Sequence, residues 1–259
     1  LPKYLSIVVD EGQDFDSSSF NLLRALVGEP QTNDLFIVAD PHQRIYGRPV
    51  VLRHCGIEIR GRSRKLRINY RTTEETRDWA TAVLHGLVFD DLDGGIDSIN
   101  DYRSLLHGDK PLIKGFDDPA EEMQFLVKTI QQINSEQGTL GSTCIAARTN
   151  SEVKKLTLLL EEAGFGTRII NEKESDEPSD HSLRLATMHR VKGLEFDQIF
   201  LPRLDDIQMP LRFELDQKPD ETSKDLFTQK ERSLLHVAAT RAKKRVVITY
   251  SGKPSPFIG

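Results

Sequence analysis

The stretch that most constrains this chain is a short apolar run that ends in two adjacent carboxylates. Ile7, Val8 and Val9 are followed directly by Asp10 and Glu11. An apolar β-branched run of this length predicts a buried strand of a parallel sheet. Ligands of open α/β sheets bind just beyond the carboxyl ends of such strands, where one carboxylate can hold Mg²⁺ and a second can activate water. A buried strand followed by an acidic turn explains the same residues.

The composition is typical of a globular protein with a core. The 259 residues are 37% hydrophobic and 29% charged, which suits one large domain or two smaller ones. No apolar run approaches the roughly 20 residues that cross a bilayer, so we expect no membrane partner. Cys55 and Cys144 lack a metal-ligand spacing, which favours the reducing cytoplasm. Because the chain begins at Leu1 without a methionine, we expect it to be part of something longer.

Charge is distributed unevenly along the chain. The net charge is −5, yet the segment from Arg44 to Arg77 holds ten Lys/Arg against three Asp/Glu, which leaves 25 basic and 37 acidic residues elsewhere. Such a run is usually a solvated surface, but a basic stripe on an acidic chain can also follow a phosphate backbone. We refer to residues 44–77 as the basic stretch.

Apolar runs alternate with amphipathic segments, which predicts βαβ units and a largely parallel sheet. The predicted strands lie at residues 7–9, 35–39, 111–116, 142–147, 166–170, 183–188, 197–201 and 245–250. The predicted helices lie at residues 17–27, 72–87, 119–137, 151–163 and 225–242. Residues 90–109, 172–181 and 205–223 are predicted to be loops or irregular segments.

Five polar segments that follow strands or open helices resemble, in order, motifs II to VI of the UvrD/Rep-like superfamily 1 DNA helicases. They are residues 8–14 (VVDEGQD), 43–47 (QRIYG), 69–71 (NYR), 187–196 (TMHRVKGLEF) and 237–242 (VAATRA). The resemblance implies an α/β RecA-like parallel-sheet fold of P-loop NTPases. Residues 1–64 would be the second half of a first RecA-like domain, and residues 65–259 a nearly complete second one without a large accessory insertion.

The resemblance also implies roles in ATP hydrolysis. Asp10 would hold Mg²⁺, and Glu11 would activate the attacking water. Gln43 would sense the γ-phosphate, while Arg71 and Arg241 would neutralise charge on the transferring phosphoryl group. With ATP and Mg²⁺ as cofactors, the intact protein would move 3′ to 5′ along single-stranded DNA.

Further residues would bind the nucleotide and the DNA by the same resemblance. Glu195 would hydrogen-bond the ribose, Gly193 would let the backbone approach closely, and Tyr70 would stack on adenine. The side chains expected to touch single-stranded DNA are Tyr46, Arg48, Thr187 and His189. Arg48 stands where the family usually has a stacking tryptophan, so a phosphate contact is expected there rather than stacking.

Each of these residues also has a purely structural interpretation. Arg241 on its own would be a cation at a helix C-terminus, and His189 a hydrogen-bonded loop histidine. The two motif tyrosines would be half-buried aromatics, and the motif III glutamine and motif V glutamate solvated side chains. Only the joint order of the five motifs favours the functional roles.

The phosphate-binding sequence Gly-x-x-x-x-Gly-Lys-Ser/Thr does not occur in the chain. In the resembled family this motif lies upstream of the Asp-Glu pair. We therefore expect the chain to need the missing N-terminal half of the first domain as a partner, and to be inactive as an ATPase alone. The alternative is a naturally truncated, non-catalytic module that binds DNA or protein.

Overall fold

The computed structural model describes residues 4–47, 49–97, 102–171 and 181–258. The chain divides into two units, of which the first is Leu1–Arg67 with Gly86–Tyr102 and the second is Ile68–His85 with Arg103–Gly259. Residues 86–102 therefore belong with the N-terminal unit, although they follow the first segment of the second. The domain boundary at 64/65 stays a prediction.

Unit 1 is built on two parallel strands and one helix. The strands β1 (Ile7–Val9) and β2 (Leu35–Ile37) pair in register, and α1 (Ser17–Val27) connects them. The helix begins where the Asp16 side chain accepts a hydrogen bond from the Ser19 N–H, and it ends at Gly28, whose φ is 77°. These local signals explain why the predicted helix bounds are confirmed.

The core of unit 1 lies on one face of this strand pair. Phe20 of α1 packs with Val50, Leu52, Ile57 and Leu92, the last contributed by the returning segment 86–102. The expectation that the first strand is buried is wrong in part, since Val9 is buried but Val8 is not. Val8 is 72% exposed, because the described residues of unit 1 place their apolar side chains against the other face.

Unit 2 contains a six-stranded, all-parallel sheet. Between β2 and this sheet, the chain forms β3 (Ile68–Thr73), α2 (Glu74–Val83), β4 (Phe89–Asp90), β5 (Ile96–Asp97) and β6 (Arg103–Leu106). The sheet and its helices comprise β7 (Leu112–Phe116), α3 (Pro119–Gln137), β8 (Thr143–Ala147), α4 (Asn150–Glu162), β9 (Thr167–Ile169), β10 (Leu183–Thr187), β11 (Phe196–Leu201), α5 (Arg212–Asp216), α6 (Glu221–Ala239) and β12 (Ala242–Ser251). The strand order in the sheet is β7-β12-β11-β8-β10-β9.

The predicted parallel sheet is confirmed in unit 2. Every residue of β8 and β10 is buried, as expected for central strands covered on both faces. Leu126 and Ile130 of α3 pack with Leu156 and Leu160 of α4 in one apolar core. Among the described residues, no helix is long and apolar enough to span a membrane.

Residues 90–109 were expected to be a loop, and this is wrong in part. The strands β4 and β5 form a short antiparallel pair in unit 1, and β6 pairs in parallel with β3 in unit 2. These strands are two to four residues long, too short for an alternating pattern to be recognised in the sequence. Residues 172–180, predicted as a loop, lie outside the described part of the chain.

Candidate functional site

The two carboxylates of motif II lie where β1 ends. Asp10 is exposed, forms no ion pair with any described residue, and accepts a 2.8 Å hydrogen bond on Oδ1 from the Glu11 N–H. Glu11 adopts the left-handed conformation, with φ 52° and ψ 37°, which turns the chain immediately after the strand. The arrangement therefore presents an uncompensated carboxylate at the carboxyl end of a strand.

Gln13 joins motif II to the end of β2. Its side chain is 2% exposed, its Nε2 donates to Glu11 Oε2, and its Oε1 accepts from the Asp40 N–H at 2.8 Å. Asp40 Oδ2 in turn accepts from Gln43 Nε2 at 2.8 Å. A chain of hydrogen bonds thus connects Glu11 with Gln43, and the Gln43 amide is held by Asp40 rather than simply solvated.

Gly12 is required by the close approach of β1 and β2. A Cβ atom at this position would lie 2.9 Å from Ile37 Cγ2 and 3.3 Å from the Val38 carbonyl oxygen. The Gly12 N–H also donates to that carbonyl at 2.9 Å. The glycine therefore allows the motif II loop to lie against β2, where Gln13 reaches Asp40.

The fit of this site to Mg²⁺ follows from its donors. No group of three or more His, Cys, Asp or Glu side chains in the described ranges is placed to hold a metal ion without other ligands. Mg²⁺ in phosphoryl-transfer sites is typically held by one or two carboxylates together with phosphate oxygens and waters. The exposed carboxylate of Asp10 fits that arrangement.

In unit 2, Glu195 of motif V lies between two cations. Its Oε1 is 2.5 Å from Arg71 Nε and its Oε2 is 3.0 Å from Lys243 Nζ. Arg71 is positioned by Asn69, whose Oδ1 accepts hydrogen bonds from the Arg71 N–H at 2.7 Å and the Thr72 N–H at 3.2 Å. The structure therefore brings residues of motifs IV and V into direct contact.

The pKa of Glu195 lies below its ordinary value of 4.5. The hydrogen bond from Lys243 is the largest cause, and the charges of Arg71, Lys243 and Arg241 add to it against the opposing effect of burial. Arg241 of motif VI is thus close enough for its charge to act on Glu195. The three predicted residues of motifs IV, V and VI share one electrostatic environment.

Arg241 itself is 2% exposed and lies in the turn between α6 and β12. Its Nε donates to the Val237 carbonyl at 3.2 Å and its Nη2 to Thr240 Oγ1 at 3.4 Å. Bonding to a carbonyl of the last helical turn agrees with the structural interpretation of this residue as a helix C-terminal cation. Its burial and its effect on Glu195 go beyond that interpretation.

Sequence reasoning missed Lys243, and a β-bulge explains its position. Phe196 pairs with Ala242 and Gln198 with Arg245, so three residues of β11 lie opposite four of β12, and β12 contains one extra residue. Bulges redirect side chains next to sites of function. The lysine two positions beyond the motif VI arginine was the available signal, but the bulge could not be read from the sequence.

Two residues were expected to contact the nucleotide, Tyr70 by stacking on the base and Gly193 by letting the protein backbone approach closely. Tyr70 is 70% exposed, so it is not the half-buried aromatic of the structural interpretation. Tyr46, which was expected to stack on a DNA base, is 46% exposed and agrees with that interpretation. Gly193 has φ +80°, and a Cβ atom there would meet nothing within 4 Å. Its conformation, rather than crowding by the described residues, favours glycine.

The predicted DNA contacts of motif V lie at the carboxyl end of β10. Thr187 is the last residue of the strand and is 8% exposed, and its carbonyl accepts from the Arg190 N–H at 2.9 Å. Burial, followed by the charge of Arg148, lowers the pKa of His189 to about 4. His189 is therefore a neutral side chain at pH 7. Arg48 lies outside the described residues.

Arg148, whose charge acts on His189, is itself held in an ion pair. Arg148 follows β8 and binds Glu231 of α6 in a bidentate manner, with Nε–Oε2 at 2.9 Å and Nη2–Oε1 at 2.7 Å. The side chains are 11% and 4% exposed. Glu231 Oε2 also accepts from the Leu211 N–H at 3.2 Å, which ties the segment before α5 to α6.

Comparison with protein families gives two matches. The model described as UvrD-like helicase C-terminal domain matches residues 64–174 and 166–253, and the model described as UvrD/REP helicase N-terminal domain matches residues 2–48. The C-terminal model thus covers well over half of the chain, and both matches fall where the motifs were recognised. The predicted resemblance is confirmed.

Three relatives illustrate the extent of similarity. The mitochondrial ATP-dependent DNA helicase HMI1 of Saccharomyces cerevisiae is 25% identical over 175 residues, covering 63% of this chain and 24% of that protein. DNA helicase II of Escherichia coli is 33% identical over 89 residues, covering 30% and 11%. The ATP-dependent DNA helicase UvrD2 of Mycobacterium bovis is 33% identical over 79 residues, covering 30% and 11%. The chain therefore spans a quarter or less of the length of these relatives.

A solved structure shares the fold. The C-terminal domain of a possible DNA helicase from Lactobacillus plantarum superposes with a TM-score of 0.52 at 18% identity, covering 74% of this chain and 92% of that one. Together with the six-stranded parallel sheet, this likeness confirms the predicted α/β, RecA-like fold. The motifs, the family matches and the fold agree, and the chain belongs to the UvrD-like helicase family.

Proposed function

We propose that this chain is part of an ATP-dependent translocase that moves 3′ to 5′ along single-stranded DNA. The observation that carries the proposal is the position of Glu195, which binds Arg71 and Lys243 and senses the charge of Arg241. Residues of three separate motifs thus converge within unit 2. The relatives named above are described as DNA helicases, two of them as ATP-dependent.

Unit 1 would supply the groups that act on the attacking water. Asp10 would hold Mg²⁺, which neutralises charge that develops on the phosphoryl oxygens. Glu11 would accept the proton of the water, because its carboxylate is fixed by Gln13. Gln43 would report on the γ-phosphate through its bond to Asp40.

Unit 2 would supply positive charge and nucleotide contacts. Guanidinium groups suit phosphoryl oxygens because they stay charged and donate in a fixed fork, so Arg71 and Arg241 would stabilise the transferring group. Glu195 would accept a hydrogen bond from the ribose, Gly193 would allow close approach, and Tyr70 would stack on adenine.

Single-stranded DNA would bind through Tyr46, Arg48, Thr187 and His189 together with part of the basic stretch. Several cations of that stretch are already paired, namely Arg44 with Asp90, Arg60 with Asp93, Lys65 with Asp97, Arg71 with Glu195 and Arg77 with Glu74. Arg62 and Arg64 are exposed and form no ion pair with the described residues. These two neighbouring cations, with Arg53, which is also exposed and forms no ion pair with the described residues, are the candidates for phosphate contacts.

The test of hydrolysis uses the intact protein that contains this chain. Replacing Glu11 with Gln should lower DNA-stimulated, Mg²⁺-dependent ATP hydrolysis at least about a hundredfold while ATP still binds. Glu29→Gln, an exposed carboxylate of the same unit, is the matched control.

The 259 residues alone should hydrolyse no appreciable ATP because they lack the P-loop sequence. Undiminished hydrolysis by E11Q would contradict the proposal, and DNA binding without any hydrolysis by the intact protein would favour the non-catalytic module.

The test of DNA binding uses the 259-residue chain and a labelled oligo(dT). The logarithm of affinity should fall with the logarithm of salt concentration, and the double variant Arg62→Gln/Arg64→Gln should make that slope shallower by about 1.4. Lys128→Gln/Lys154→Gln, on α3 and α4, removes the same number of charges and is the control for net charge. A slope that both variants leave unchanged would remove the basic stretch from the DNA surface.

We further propose that the protein works in the cytoplasm. Both cysteines are buried and neither is joined in a disulfide in the described part of the chain, as suits a reducing compartment.

A further inference from the structure

Unit 2 contains a groove of about 450 Å³ that none of the proposed ATP-binding residues lines. It is formed by the start of β12, by β11, by the end of β3 and by the segment that follows β6. Its volume falls within the roughly 300–1,000 Å³ that small-molecule sites usually occupy. The groove is therefore large enough for a ligand of its own.

The groove is lined by more positive than negative charge. Lys243, Lys244 and Arg245 line it, opposed by the single carboxylate of Asp109. Lys243 binds Glu195 and Lys244 binds Asp197, whereas Arg245, partly buried, forms no ion pair with the described residues. The bulge in β12 brings all three consecutive cations to one groove, although a regular strand would point the middle one away. An anionic group is the matching ligand.

The floor of the groove carries an acceptor that lacks a donor. Gln198 of β11 is 3% exposed, and its Oε1 has no hydrogen-bond partner among the described residues. Gln198 is also the register partner of Arg245 on β12, so the two side chains lie on the same face of the sheet. Buried polar atoms of this kind are usually satisfied, and here a ligand N–H or O–H would satisfy it.

We propose that this groove binds a nucleoside monophosphate, with its phosphate on Arg245 and a hydroxyl or amine donor on Gln198 Oε1. A guanidinium binds phosphate in a bidentate manner, which lysine cannot do. Inorganic phosphate would fill only a small part of the groove, and a neutral nucleoside would leave Arg245 without an anion. A ligand that carries both an anion and a further donor and that fills the groove matches these features, and a nucleotide is such a ligand. The groove adjoins the proposed ATP site, because Lys243 lines it and binds Glu195, but none of the proposed ATP contacts lines it.

The experiment is isothermal titration of the 259-residue chain at low salt with AMP and, separately, with inorganic phosphate. AMP should bind more tightly than phosphate, and Arg245→Gln should weaken AMP binding about tenfold, the loss expected for one charge-assisted contact. Gln198→Leu should weaken AMP binding while leaving phosphate binding unchanged. In nitrogen-15 NMR spectra of the wild-type chain, AMP should shift the amides of Gly108 and Gln198.

A control variant tests whether AMP binds in this groove rather than elsewhere on the chain. Thr143→Val removes a hydroxyl that is also buried without a partner among the described residues, but that does not line the groove, and it should leave AMP binding unchanged. If Arg245→Gln does not fold, Arg245→Lys keeps the charge and should bind AMP with intermediate affinity. Absence of AMP binding, amide shifts elsewhere on the chain, or undiminished AMP binding by the Arg245 variants would overturn the proposal.

Discussion

Glu195 shows how a single side chain comes to depend on residues far away in the sequence. Its two oxygens are held by different cations, and the stronger effect on its pKa comes from Lys243, which the motif series did not include. The sequence could identify Glu195 and Arg71 because family spacing marks them. It could not identify Lys243, because that contact depends on a bulge.

Replacing Lys243 with Gln should raise the pKa of Glu195 toward its ordinary value of 4.5. A carboxyl group with a lowered pKa stabilises the fold above its unfolded pKa, and this stabilisation is lost as the pH falls through the folded pKa. The variant should therefore lose stability at neutral pH and show a weaker acid dependence. Carbon-13 NMR titration of the glutamate carboxyls measures the pKa. Lys244→Gln is the control, and an unchanged Glu195 pKa in K243Q would contradict the assignment.

His189 should make the fold sensitive to mild acid. Its folded pKa is about 4 and its ordinary value is 6.5, so between these values the unfolded chain takes up a proton that the folded chain does not. The free energy of unfolding should be highest above pH 6.5 and should fall as the pH drops towards 4. Urea unfolding at several pH values should show a smaller fall in His189→Gln than in the wild type. The exposed His54→Gln is the control, and identical pH profiles would refute the expectation.

At the scale of elements, prediction succeeded where the signals are local. The helix α3 has its predicted bounds, since Asp118 caps it, Pro119 opens it and Gly138 ends it in the left-handed conformation. The helix α6 begins at Glu221, four residues earlier than predicted, because the Asp220 side chain accepts from the Ser223 N–H. The bulge in β12 and the pairing of β3 with β6 depend on partners distant in sequence, and no local pattern marks them.

The pairing of β1 with β2 should depend on Gly12. Gly12→Ala would place Cβ 2.9 Å from Ile37 Cγ2, so the strands must separate or shift, which typically costs about 1–3 kcal/mol. Amide hydrogen exchange should then be faster at Val38, whose N–H donates to the Val9 carbonyl at 2.8 Å. Gly166→Ala is the control, because its Cβ would meet only Ser182 Oγ at 3.8 Å. Unchanged protection of Val38 would show that the loop has room to adjust.

At the scale of the whole molecule, each of the two units is built from two separate segments of the chain. The polypeptide leaves unit 1 after Arg67 and returns to it for Gly86–Tyr102. The Leu52 N–H donates to the Leu92 carbonyl at 2.9 Å, and Arg44 binds Asp90. The resemblance implied a single division at 64/65, and it could not reveal these contacts, which join residues about 40 positions apart.

A shortened chain of residues 65–259 should therefore contain a segment without its partners. In that chain the amides of Phe89, Leu92 and their neighbours should exchange rapidly, and the exposed apolar side chains should promote association. The full chain should protect the same amides. Hydrogen exchange followed by mass spectrometry compares the two, with α3 as an internal reference. Equal protection of residues 86–97 in both chains would show that the segment folds without unit 1.

The left-handed backbone of Glu11 limits which residues can occupy this position. With φ 52° and ψ 37°, this residue occupies a region that disfavours side chains, and a glycine there would relieve the strain. A glycine, however, would remove the carboxylate that Gln13 holds in place. Backbone strain and the carboxylate therefore come together at this position, and relief of one by glycine means loss of the other.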